Sequence, residues 1–282
     1  MHIPIKVCTF VGFFGKMNKK GFILAMIMVL AASCGEYQKL LKSADPELKY
    51  EKAVDYFNQK KYAKAVTLFD DVSTYYRGTE RSQDVLNYLA RCYVGQKNYS
   101  SAAEYYQIYI RNYPKGRYII EARYMVGHCY ALDSPDARLD QTMTKDAINY
   151  LTDFVDLFPE SEYAPQAYEE IEAMNNKLAL KEFYSAKLYY NLGSYLGNNY
   201  ESCVIVSRNA LRNYPGNIYQ EEFSWLILQS KYQQVLMSVS ERRQERAQDT
   251  EDECYSFLTE FPQSKHRKAA EKIQTELIKI SK

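Results

Sequence analysis

The chain has 282 residues, with 36 Lys and Arg against 35 Asp and Glu and a formal net charge of +1. That balance argues against nucleic acid as the main partner, because a strongly basic face usually shows in the total. A hydrophobic content of 46% with 25% charged residues is globular rather than disordered, and only 11 Gly beside 28 Tyr disfavours loop-rich folds and phosphate-cradling loops.

The N-terminus reads as an export signal. Met17-Asn18-Lys19-Lys20 forms a charged start, and Gly21 to Leu30 is an apolar stretch of secretory length. It is too short to span a bilayer, and no later segment reaches about 18 uninterrupted apolar residues. The stretch closes with Leu30-Ala31-Ala32-Ser33-Cys34-Gly35. Small residues ahead of a Cys resemble a bacterial lipobox, although its usual Leu here sits one place early. The resemblance implies cleavage before Cys34 and a covalent lipid on that residue, with no other cofactor. Several acyl chains anchor stably where one is marginal. Residues 1–16 look dispensable, with Met17 as an alternative start. Removing residues 1–33 takes away Lys6, Lys16, Lys19 and Lys20 and no acid, so the net charge falls from +1 to −3.

A short linker, 34–45, leads into a helical repeat. Aromatic–proline pairs recur at Tyr113-Pro114, Phe158-Pro159, Tyr214-Pro215 and Phe261-Pro262. Each follows a helix-period apolar segment, and proline marks a helix end. Residues 83–114 fit the tetratricopeptide (TPR) pattern: Leu86, Leu89, Ala90 and Tyr93 on a first helix, Tyr99, Ala102 and Tyr106 on a second. Small residues let the two helices approach, and large ones fill the space around the contact. The template recurs 37 residues earlier, with Ala53, Tyr56, Tyr62, Ala65 and Phe69, where Tyr75-Tyr76-Arg77-Gly78 replaces the aromatic–proline end. A third unit carries Gly127 and Tyr130, then Ala147, Leu151 and Phe154, with an inter-helix insertion of 8 residues containing Asp133-Ser134-Pro135-Asp136.

Beyond Pro159 the spacing predicts helices over 163–176, 178–196, 200–213, 218–238 and 248–260. An amphipathic helix near 264–280 would cap the array, since an exposed terminal repeat would be apolar. The expected fold is an all-α superhelix of about five TPR-like hairpins: repeats 1–3 over 46–160, repeats 4–5 over 161–263, and a capping helix over 264–282. Residues 241–253 hold nine charges of both signs in thirteen positions, which fits a solvated helix face, a mobile loop or a docking ledge.

Candidate chemistry is thin. There is no GxGxxG, P-loop, HExxH or GxSxG, and Cys92, Cys129, Cys203 and Cys254 lack metal-ligand spacing. His128 has no oriented carboxylate or nucleophile in view, so neither a catalytic residue nor a metal site is expected. What stacked hairpins do offer is a concave face lined by each first helix. Tyr50, Val54 and Phe57 in the first unit, Asp84, Asn87, Arg91 and Val94 in the second, and Glu121, Tyr124 and His128 in the third fall there. Aromatics suit apolar side chains, Asn suits peptide groups and Arg91 suits a carboxylate, so Tyr50, Phe57, Asn87, Arg91, Tyr124 and His128 are the candidate peptide-binding set. At each position a packed core residue is the plain alternative.

Tyr56-Phe57-x₄-Tyr62-x₂-Ala65-x₃-Phe69, Tyr105-Tyr106-x₂-Tyr109-x₃-Tyr113-Pro114 and Leu178-Ala179-x-Lys181-Glu182-Phe183-Tyr184-x-Ala186-x₂-Tyr189-Tyr190 carry a further likeness. Together with the lipobox, they resemble the BamD family, the lipoprotein subunit of the outer-membrane β-barrel assembly (BAM) complex. The similarity runs from Cys34 to the last helix, with a shorter linker and a longer, more charged segment after Ser238. It implies a non-enzymatic protein on the periplasmic face of the outer membrane. The C-terminal repeats would hold the barrel-forming subunit BamA beside other BAM subunits, and the N-terminal repeats would take C-terminal segments of unfolded outer-membrane proteins. Another periplasmic TPR lipoprotein, acting in envelope assembly or division, would share fold and anchor. A glycan-binding or glycan-cleaving lipoprotein would need a catalytic Glu or a platform built around Trp225.

Overall fold

The computed structural model describes residues 35–281, which form helices joined by turns and short connectors, with no strand among them. Cys34 and the leader lie outside the described residues. The chain divides into two compact units between Gln96 and Lys97.

The first unit has a helical stretch at 35–41, followed by α1 (Pro46–Asn58), α2 (Tyr62–Ser73) and α3 (Arg81–Gly95). Asp45 starts α1: its carboxylate accepts from the Glu47 and Leu48 amides at 3.0 and 3.2 Å, and Pro46 follows at the first helical position. α1 packs on α2, α2 on α3, and α1 touches α3. Ala53, Ala65 and Ala90 are fully buried where the helices meet, with Leu68, Phe69 and Leu89 around them. This is the small-beside-large arrangement that the repeat template predicts. Rings fill the rest: Phe69 and Tyr88 stack at 5.1 Å, and Phe57 meets both Tyr62 and Tyr88 edge-on.

The second unit holds α4 (Tyr99–Asn112), α5 (Ile119–Asp133), α6 (Thr142–Leu157), α7 (Ala164–Leu192), α8 (Asn199–Asn213), α9 (Gln220–Leu236), α10 (Ser240–Glu260) and α11 (Arg267–Ser281). Each packs on the next, and α5 also touches α7 as α7 touches α9. That alternation is the signature of stacked hairpins. α11 closes the array, with Ala270 and Leu277 buried against α9 and α10. Gly127 of α5 marks a close approach to α6: a Cβ there would stand 2.6 Å from Leu151 Cγ and 3.0 Å from the Leu151 backbone nitrogen. The predicted insertion emerges as a connector over 134–141, and the remainder lengthens its flanking helices.

Two expectations are corrected. The helices predicted over 163–176 and 178–196 are one helix, α7, of 29 residues. Asn175-Asn176-Lys177 resembles a break, yet the helix runs through it because both halves are held by packing. The first half covers Leu151 and Phe154 with Ala164 and Ala167, and the second lays Ala179 and Ala186 against Cys203, Ala210 and Phe223. The polar residues between them fasten connectors instead. Asn176 Oδ1 accepts from the Ile218 amide at 3.0 Å, and Lys177 Nζ donates to Ser134 Oγ at 2.7 Å. Likewise α10 begins at Ser240 rather than near 248, so the charged run is helical. Its inner face supplies Ala247 and Thr250 to the core, and Asp249 and Glu253 pair with Lys231 at 3.0 and 2.8 Å.

Candidate functional site

In the first unit, α1 and α3 carry four of the six candidate residues. Tyr50 is half-buried, edge-on to Phe69 and Tyr76, with the Arg81 guanidinium 4.8 Å from its ring centroid. Phe57 is half-buried in the Tyr62–Tyr88 group. Asn87 is 5% exposed, and its Oδ1 is buried without a hydrogen-bond partner. Arg91, one helical turn on, is exposed. The rings of Tyr50 and Phe57 thus help to build the unit, and Arg91 is the exposed member of the set.

In the second unit, Tyr124 and His128 stand at i and i+4 on α5 and converge on Glu170 of α7. The Tyr124 hydroxyl donates to Glu170 Oε1 at 2.9 Å, and His128 Nδ1 lies 2.7 Å from the same oxygen. Gln166 Nε2 donates to it at 3.1 Å. Glu170 Oε2 is buried with no hydrogen-bond partner. Burial first, and then the Glu170 charge, push the Tyr124 phenol well above its ordinary pKa. Tyr124 also stacks on Tyr163 at 4.9 Å. One Glu170 oxygen thus gathers three polar groups while the other is buried, so the cluster ties α5 to α7 rather than opening to solvent. Glu170 escaped the sequence reading because it is one acid among Glu169, Glu170 and Glu172; only the α5–α7 contact singles it out.

Other candidate chemistry resolves into packing. Trp225 is 8% exposed, stacked on His266 at 4.6 Å and packed against Phe257, so it forms core rather than a sugar platform. The four described cysteines are buried and free. Burial pushes Cys92 and Cys129 up to about 12 and Cys254 to about 11, which makes them poor nucleophiles. Among the described residues, no cluster of three His, Cys, Asp or Glu could hold a metal ion, and no helix is long and apolar enough to cross a membrane.

Hairpins built on buried alanines, with polar and aromatic side chains on their first helices, define a TPR-like helical-repeat protein. A family model described as outer membrane lipoprotein (YfiO) matches residues 42–198, more than half of the chain, and the chain belongs to that family. Among its relatives is the protein assigned as outer membrane protein assembly factor BamD in Aquifex aeolicus, 27% identical over 252 residues that cover 88% of this chain and 79% of that one. Another is the outer membrane protein assembly factor BamD of Caulobacter vibrioides, 27% identical over 150 residues, 53% of this chain and 49% of the relative.

Proposed function

We propose that this protein is an outer-membrane protein assembly factor, anchored through a lipid on Cys34 and exposed to the periplasm. It scaffolds the barrel-forming subunit, BamA, and receives unfolded outer-membrane proteins, without bond chemistry of its own. The observation that carries this reading is the family match over 42–198, which covers parts of both compact units and all six candidate peptide-binding residues. Helical-repeat faces recognise extended or helical peptides through spaced pockets, which is the task an assembly factor needs. Exposed Arg91 is the carboxylate partner for a client C-terminus, and the Tyr124–His128–Glu170 group ties α5 to α7.

Affinity isolation of the lipidated protein from detergent-solubilised membranes, followed by mass spectrometry, tests the assembly role. BamA and further BAM subunits are the expected companions; their absence beside other envelope-assembly or division proteins would replace this reading with the general TPR-lipoprotein one. Metabolic labelling with radioactive palmitate tests the anchor, and Cys34→Ser should abolish the label. Arg91→Glu should weaken binding of peptides with a free C-terminus more than binding of amidated ones. Equal loss for both would remove Arg91 from that role.

A further inference from the structure

The first unit holds a cleft of about 740 Å³ between the helical stretch 35–41, α1 and the start of α2. Lys39, Lys42, Lys52, Lys61 and Lys64 line it. Against these five cations stand two carboxylates, Glu36 and Asp55. The excess of three positive charges belongs to a chain whose net charge after leader removal is −3, so this is a local concentration and not a reflection of composition. Asp55 is engaged by Lys52 at 2.9 Å, which leaves the other four lysines with Glu36 as the only further acid in the lining. Like charges gathered around one opening attract an anionic surface.

The rest of the lining is amphipathic. Leu40 and Leu48 sit among the lysines, and Leu48 is 40% exposed. The Lys64 ammonium lies 4.9 Å from the Tyr37 ring centroid and 5.4 Å from that of Tyr56. Lysines around partly exposed leucines and tyrosines form the composition that binds at a lipid headgroup boundary. Position in the chain selects the partner. Gly35 follows the lipobox cysteine, and Lys39 stands one helical turn, about 6 Å, beyond it. In a member of an outer-membrane lipoprotein family, that places the cleft within about one Debye length of headgroups.

We infer that this cleft is a second membrane contact, a site for the phosphate headgroups of anionic phospholipids that holds the first unit against the leaflet carrying the acyl chain. The inference rests on the lipoprotein reading of Cys34. It adds to it a specificity for anionic lipid and a defined seating of the first hairpin. The acyl chains keep the protein on the membrane, and the cleft adds an electrostatic contact that sets how the first unit faces it.

The test reconstitutes the lipidated protein into phosphatidylcholine vesicles with or without phosphatidylglycerol. Reductive methylation read by mass spectrometry then reports lysine accessibility. Co-flotation reports the anchor independently, so loss of acylation and failure of the cleft are separate results. Labelling of Lys39, Lys42 and Lys61 should fall about fivefold on phosphatidylglycerol vesicles. It should return at high salt, while Lys268, Lys272 and Lys279 of α11 stay unchanged. Lys39→Gln with Lys42→Gln should relieve the protection remaining at Lys61. Equal labelling in both vesicles, or uniform protection of the α11 lysines, would overturn the inference. So would protection by inorganic phosphate on phosphatidylcholine vesicles, which would mark a free-anion site. Protection that appears only when a co-purified protein partner is added would assign the cleft to that protein instead.

Discussion

In the first unit the chain leaves its second helix through Tyr76-Arg77-Gly78, while α4, α6, α8 and α10 of the second unit all end on an aromatic residue followed by proline. The backbone outcome is shared. The Tyr76 amide donates to the carbonyl four residues back at 3.1 Å, and its carbonyl accepts from Thr79 at 3.0 Å. Tyr113, Phe158, Tyr214 and Phe261 repeat both bonds, with φ between −120° and −136°. Proline enforces the exit by barring the residue before it from the α region. Without proline, the first unit uses Gly78 at φ +81° and fixes the ring by hydroxyl bonds, Tyr76 to Glu47 at 3.0 Å and Arg81 to Tyr76 at 3.2 Å. The aromatic ring and its two backbone bonds are thus the common element, and proline is one of two ways to secure them.

Thiol chemistry breaks the comparison most sharply. Cys92 lies in the first unit and Cys129 in the second, and burial both shields these thiols and pushes them up to about 12, so alkylation should wait until the unit around each opens. Earlier labelling of Cys92 would show that the first unit opens alone, and simultaneous labelling would show that the units open together. Truncation of a core ring comes next: Phe154→Ala should cost about 3–5 kcal/mol in chemical denaturation, since Phe154 is 1% exposed under α7. A loss below about 1 kcal/mol would mean that α7 does not close the α5–α6 hairpin.

The glycines separate the units more finely. Gly127→Ala meets the Leu151 backbone and should destabilise by about 1–3 kcal/mol despite better helix propensity. Gly95→Ala meets the Tyr62 ring first, a side chain that can swing aside, so a melting-temperature loss well under half as large is expected. Similar losses would show that Tyr62 is held as firmly as backbone. The smallest effects concern the exits. Tyr76→Phe should lower stability by about 1 kcal/mol through its lost hydroxyl bonds, and Pro159→Ala by about 0.4–1 kcal/mol through the freer unfolded chain. A larger loss from Pro159→Ala than from Tyr76→Phe would make proline the essential part of the exit.

Much of the candidate surface was legible as a set of helix positions rather than as a site. Tyr124 and His128 share a face by their spacing, but Glu170, 42 residues beyond His128, joins them only because α5 meets α7. Tyr50 and Phe57 also fall where the repeat places them. That their rings are spent on Phe69, Tyr76, Tyr62 and Tyr88 follows from which neighbours surround them, and the period of a helix carries no such information.

By itself the sequence determined the helical class, the hairpin period, the aromatic exits and the closing helix, because these depend on local rules: 3.6-residue periodicity, small residues at close contacts and the steric demands of proline. Tertiary structure alone decided that 164–192 is one helix, that the charged run joins α10, and that five lysines surround a single cleft. Each of these is settled by contacts between segments distant in the chain, and packing of that kind outweighs the fraction of a kcal/mol per residue by which local propensity would choose otherwise.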